Sequence, residues 1–126
     1  MVSNRGEGSV GWQVRRHSSE SLCFTTRGVG NDDTPSSIVP PLNEWVHIAC
    51  VYDNVNNTKR IYINGVEDTV VDTNPGTIGA TTHNSYIGAR ANAGNTAQEA
   101  RFTGMIDEVR IYNRALSDGE VLFLAD

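Results

Sequence analysis

The chain has 126 residues, which gives room for one domain with its own core and not for two. Ten Lys and Arg against 15 Asp and Glu leave a net charge of -5, which argues against nucleic acid as a partner because phosphate binding needs a positive surface. No apolar run reaches the length of a membrane span, the N-terminus lacks the basic-then-apolar pattern of a secretory signal, and Cys23 and Cys50 lie outside any CxxC pair and offer no zinc ligand set.

Apolar residues recur mostly with period two, the strand period. Val10, Trp12 and Val14 alternate with Gly11, Gln13 and Arg15. Ser19-Glu20 supplies a tight turn, and Leu22 and Phe24 resume the alternation, so these segments read as a hairpin. Residues 27–44, RGVGNDDTPSSIVPPLNE, form a long loop whose prolines and glycines oppose a regular ladder. WVHIACVYD, from Trp45 to Asp53, is apolar on both faces apart from His47, which predicts a strand in the middle of a sheet. Asn54 to Thr58 turns the chain. Ile61 and Ile63 then alternate with Tyr62, Asn64-Gly65 is a two-residue hairpin signal, and Val66 to Asp72 returns as the partner strand.

Thr77 to Ala80 and Asn84 to Ala89 read as two short strands, separated from the last one by a second loop over residues 90–100. Phe102 to Tyr112 alternates well and predicts a long closing strand. Ser117 with Glu120 three residues on is a capping box, and Val121, Leu122 and Leu124 provide a face for one short terminal helix. Strands and turns of this kind describe an all-β, antiparallel β-sandwich with a single C-terminal helix.

From Trp45 onward the residues resemble a known family. WVHIACVYD, RIYINGVE, YIGAR and, above all, FTGMIDEVRIYNRALSDGEV are similar to the laminin-G-like, concanavalin A-like lectin/glucanase jelly roll. GWQVRR and LCFTTRG resemble that family's preceding hairpin. The resemblance implies one domain over residues 1–126. It also implies that one or two opening strands of the family pattern are missing before Val10, so the domain is expected to be N-terminally truncated. Since the first jelly-roll strand often lies beside the last, its absence predicts an open edge and self-association into a homo-oligomer.

The candidate sites follow from the same residues. Related sandwiches include glycosidases, which need two carboxylates facing one groove. Here the nearest approach is Asp107-Glu108, which on a strand point to opposite faces. Asp107 reads as a hydrogen-bonded strand carboxylate and Glu108 as a partner for Arg110 or Arg60. No Ser-His-Asp arrangement is readable, and His47 reads as a core histidine satisfied by a carbonyl or a carboxylate. The resemblance implies a calcium ion at the sandwich rim, for which Asn31, Asp32 and Asp33 are the oxygen donors at hand. For ligand binding by rim loops or the concave face, the candidates are Trp12, Asn31, Asp32, His83, Asn84 and Arg90, while Trp45, Tyr52, Phe102 and Phe123 read as core. Each cysteine lies in an apolar run and reads as a small buried hydrophobe, and Asn56-Asn57-Thr58 fits the glycosylation pattern.

The reading is a non-catalytic module that binds a carbohydrate or protein ligand. The alternative is an assembly protein that oligomerises through an exposed edge; an enzyme ranks third. No membrane partner is expected, and the location is extracellular or cell-surface if the chain belongs to a longer protein.

Overall fold

A computed structural model describes residues 1–5, 10–27, 32–68, 71–73, 76–92, 94–95 and 98–126. Its strands are β1 Val2–Asn4, β2 Gly11–Arg16, β3 Leu22–Arg27, β4 Asp33–Pro35, β5 Ile48–Asp53, β6 Thr58–Ile63, β7 Val66–Glu67, β8 Tyr86–Ile87, β9 Arg90–Ala91 and β10 Gln98–Glu99. The helix α1 covers Asp118–Ala125. One antiparallel sheet has the order β4-β3-β2-β1-β8, the second has β5-β6-β7, and β9 with β10 makes a separate ribbon. This is the expected antiparallel sandwich.

The β2–β3 hairpin carries the plan of the fold. Its register sets Trp12 opposite Thr26, Val14 opposite Phe24 and Arg16 opposite Leu22. Trp12, Val14, Leu22 and Phe24 therefore share one face, and they pack on Ile48, Cys50, Ile61 and Ile63 of the second sheet. On the other side of the second sheet, Val51 and Tyr62 pack against Val121 of α1, with Ala115 and Leu116 alongside. Asn64 and Gly65, at φ 50 and 77, form the tight turn their sequence signalled. The Ser117 hydroxyl accepts from the Glu120 backbone, and the Glu120 carboxylate accepts from the Ser117 backbone, which completes the capping box.

Several expectations need correction. The first loop contains β4, which pairs with β3 at the edge of the sheet, where Pro35 is tolerated because its missing N–H can face outward. A strand, β1, precedes Val10 and pairs with both β2 and β8. The second long loop contains β9 and β10. Thr77–Ala80 forms no strand, although Gly79 bonds Gly11 and Arg27 through its backbone. Of the return strand, β7 takes two residues and Asp72 bridges Lys59, while 69–70 and Asn74-Pro75 lie outside the described residues.

The largest departure is the closing run. Phe102 donates its N–H to Gly88, and beyond it no strand forms up to α1. Gly104 at φ 151 and Glu108 at φ 51 turn the backbone away from an extended course. Alternation makes a run able to pair, but a ladder also needs an adjacent edge along its length. In consequence β5 is, among the described residues, an edge strand of its sheet and not a central one. Trp45, expected in the core, is 65% exposed, Phe123 is 80% exposed, and Phe102 is also exposed.

Candidate functional site

The face of the five-stranded sheet turned away from the core carries a continuous polar layer. Alternation sends Gln13, Arg15, Cys23, Thr25 and Arg27 outward wherever Trp12, Val14, Leu22 and Phe24 point inward. The register of β1 with β2 adds Ser3 opposite Gln13, and that of β4 with β3 adds Asp33 opposite Thr25. Ser3, Gln13, Cys23 and Thr25 are fully buried and form the floor.

Hydrogen bonds lock this layer. The Thr25 hydroxyl donates to Asp33 Oδ1 at 2.6 Å, and Arg15 donates from Nε to Thr25 Oγ1 at 3.3 Å and from Nη2 to Asp33 Oδ2 at 3.0 Å. Arg5 Nη1 donates to Gln13 Oε1 at 3.3 Å. Arg27 forms an ion pair with Asp32, and its Nε is buried without an acceptor among the described residues. The Ser3 hydroxyl donates to the Ala89 carbonyl at 2.8 Å, which fixes the start of β9 beside β1. Gly11 makes room for this arrangement: a Cβ there would lie 2.9 Å from Arg5 Cβ.

The electrostatics follow from crowding. Burial lowers the Arg5 pKa, and the neighbouring Arg27 and Arg90 lower it further. Burial pushes the Asp33 carboxyl up, but the Thr25 hydroxyl and the guanidinium groups of Arg15 and Arg27 outweigh it and hold the group below the usual carboxylate range. Burial raises the Cys23 thiol, and it drives Cys50 up to about 12, so both free thiols are protonated at neutral pH.

The sequence candidates disperse. Trp12 faces the core, which removes it as a ligand contact. Asp32 and Arg90 join the edge of the arginine group. His83 and Asn84 sit beside the β1–β8 end, where the Asn4 amide donates to the His83 carbonyl and to the Ser85 hydroxyl, and the Asn84 N–H donates to Asn95 Oδ1. Asn31 lies outside the described residues. Asp32 and Asp33, the expected calcium donors, each face an arginine, and no group of three acids, histidines or cysteines suited to a metal occurs among the described residues. His47 differs from expectation: its Nδ1 is buried with no hydrogen-bond partner among the described residues. Glu108 pairs with Arg110 at 2.6 Å, as its sequence position indicated. Asp107 Oδ1 accepts from the Glu108 N–H in an irregular segment and not in a strand.

Arg5, Gln13, Arg15, Thr25 and Arg27 are not legible as a group from sequence. For the four on β2 and β3 the signal is the polar half of the alternation that locates the core; Arg5 carries none. A shallow pocket of about 430 Å³ between the closing arm and α1, lined in part by Tyr112, Leu116 and Phe123, competes weakly. Its polar groups, Arg114, Ser117 and Glu120, are bonded to one another.

Comparison with known proteins completes the site. A laminin G-type family model, described as the concanavalin A-like lectin/glucanases superfamily, matches residues 1–122. The chain belongs to this superfamily. Among solved structures, an S-layer domain-containing protein from Clostridium thermocellum (residues 221–444) superposes with a TM-score of 0.55 at 22% identity. That likeness shows a shared fold. It covers 98% of this chain and 59% of the other, so the chain spans somewhat over half of that protein's determined length. No curated protein matches the sequence significantly.

Proposed function

We propose that the chain is a non-catalytic binding module that recognises a carbohydrate or protein ligand through the outer face of its five-stranded sheet. The observation that carries this reading is the preorganised polar layer itself: a buried floor of Ser3, Gln13, Cys23 and Thr25 beneath guanidinium groups fixed by hydrogen bonds. Polar groups held in place on a sheet face lose little freedom when they meet a ligand. The acids described on this face, Asp32 and Asp33, are adjacent in sequence and engaged with arginines. A glycosidase pair would instead face one groove from opposite sides at roughly 5–10 Å. A surface-exposed location fits the superfamily and the S-layer neighbour, and no helix among the described residues is long and apolar enough to cross a membrane.

A glycan array tests the proposal. Saturable binding to a defined glycan is expected; silence across both glycans and extracellular-matrix proteins contradicts it. Calcium at the 31–33 loop stands as a separate proposal that would require Asp32 and Asp33 to exchange their arginines for the ion. A melting temperature unchanged between calcium and EDTA removes it.

A second reading, assembly, is favoured by a different observation. Among the described residues β5 has one neighbour and the closing run has no ladder, and Met105 and Ile111 are 76% and 67% exposed. Unpaired edges beside apolar surface promote association. Sedimentation velocity at high micromolar concentration should show a dimer or larger species; a monomer ends this reading.

A further inference from the structure

We propose that the chain assembles by strand exchange: residues 104–126, the closing run with α1, cross to a second copy, where the run pairs with the open edge of β5. This rests on the assembly reading and names the segment and the edge that join.

The first argument is the edge. The Asn64 N–H donates to the His47 carbonyl at 2.9 Å, and the register continues that bonded pair at every second residue, through Ala49–Tyr62, Val51–Arg60 and Asp53–Thr58. Alternation along an antiparallel strand then directs the N–H and C=O groups of Ile48, Cys50 and Tyr52 the other way. Among the described residues no strand lies on that side. The side chains of the same three residues pack against the core, so a strand added there would extend the apolar layer as well as the ladder.

The second argument is the segment. Val109 and Ile111 stand two residues apart, and Met105 falls on the same period. Laid beside β5 as a strand, Val109 and Ile111 would share the face of Ile48, Cys50 and Tyr52, and Glu108 and Arg110 would face solvent. In the single chain that pattern goes unused: Met105 and Ile111 are 76% and 67% exposed. One sequence thus carries both an edge and a strand pattern without a mate. A second copy supplies each with the other, and reciprocal exchange closes at two chains.

The third argument is why one chain does not satisfy itself. The run is held at both ends: Phe102 donates its N–H to the Gly88 carbonyl, and Ala115 and Leu116 pack beside Val51 and Tyr62. Between these anchors the backbone turns at Glu108, at φ 51. A left-handed residue in mid-run breaks the two-residue period and is strained for glutamate. Opening the chain at Gly104, a glycine at φ 151, frees the run from the Gly88 side and lets Glu108 return to an extended course. α1 travels with it, and Val121 keeps its contacts by packing on Val51 and Tyr62 of the second copy.

The test is sedimentation velocity over a concentration series, with three variants at Glu108. Glu108→Gly accepts the turn freely and should weaken dimerisation about tenfold. Glu108→Thr is β-branched, opposed to the turn and at home in a strand, and should strengthen it about tenfold. Glu108→Gln removes the exposed pair with Arg110 but keeps the backbone preference, and should match the wild type. Circular dichroism confirms folding. Hydrogen exchange then locates the joint: the amides of Ile48, Cys50 and Tyr52 should exchange fast in dilute monomer and slowly in the dimer. A dimer that leaves those three amides unprotected, or in which Glu108→Gly and Glu108→Thr behave alike, overturns strand exchange and leaves assembly through another surface. Protection of the three amides in the monomer shows the run closing on its own β5 and also overturns exchange. A shift in Glu108→Gln as large as that in Glu108→Thr assigns the effect to charge and overturns the backbone argument. A monomer at every concentration in all four proteins overturns both this inference and the assembly reading.

Discussion

Lys59 Nζ lies 3.8 Å from the Asp72 carboxylate, and both side chains are buried between the two sheets. The two residues face each other across an isolated bridge, bonded through both backbones at 2.8 and 3.0 Å. Nζ also donates to Thr26 Oγ1 and to the Asp32 carbonyl, each at 3.2 Å, and sits 5.5 Å from the Phe24 ring centroid. Thr34 Oγ1 donates to the same Asp72 carboxylate at 3.2 Å. One ammonium thus ties β6 to β3 and to the chain entering β4, directly behind the polar face. Burial lowers the Lys59 pKa and the nearby Asp72 opposes that shift.

Lys59→Met should therefore destabilise the fold by about 3 kcal/mol, because it removes the cation beside a buried carboxylate. Adding Asp72→Asn should recover part of the loss, since a neutral amide can still accept from Thr34. Urea denaturation of the two variants checks this; a single variant as stable as the wild type contradicts the network.

The helix cap predicts a pH dependence. Arg114, followed by the Ser117 backbone and hydroxyl, holds the Glu120 carboxyl down to about 2 from its usual 4.5. A depressed carboxylate stabilises the fold fully above its unfolded value and loses that contribution as pH falls through the folded one. Glu120→Gln should lower Tm at pH 7 by a few degrees, and the gap to wild type should close between pH 4.5 and 2. A gap that persists at pH 2 contradicts the assignment.

Gly11 predicts a backbone effect. It has φ 89, and an added Cβ would stand 2.1 Å from the Asn4 carbonyl oxygen and 2.9 Å from Arg5 Cβ. Gly11→Ala should cost about 3 kcal/mol and displace β1 with Arg5. Thermal melting measures the first effect, and loss of ligand affinity at a temperature where the variant is folded measures the second.

The core was legible in the sequence because its signal is local. Trp12, Val14, Leu22 and Phe24 alternate, Asn64-Gly65 marks its own turn, and Ser117 with Glu120 marks the helix start. The closing run departs from its sequence pattern for the opposite reason. Met105, Ile106, Val109 and Ile111 alternate as a strand should, but pairing depends on which edge lies alongside, and sequence periodicity carries no such information. The same limit placed Trp45 in a core and β5 in mid-sheet. The site was half legible. Asp32 and Arg90 stand out in the sequence as polar loop residues, and both reach the arginine group. Arg15 and Arg27 are not legible in the same way, because polar residues on an outer strand face are ordinarily solvated, and only the register that sets Gln13 against Thr25, with Asp33 beside Arg15, brings them together.

The most direct measurement is an amide chemical-shift titration of the 15N-labelled chain with the glycan that gives the strongest array signal. Shifts concentrated at Gln13, Arg15, Thr25, Arg27 and Asp33 are expected. Shifts concentrated in the closing run 102–112 or on β5 and β6, with those five residues unmoved, would contradict the outer sheet face as the binding surface.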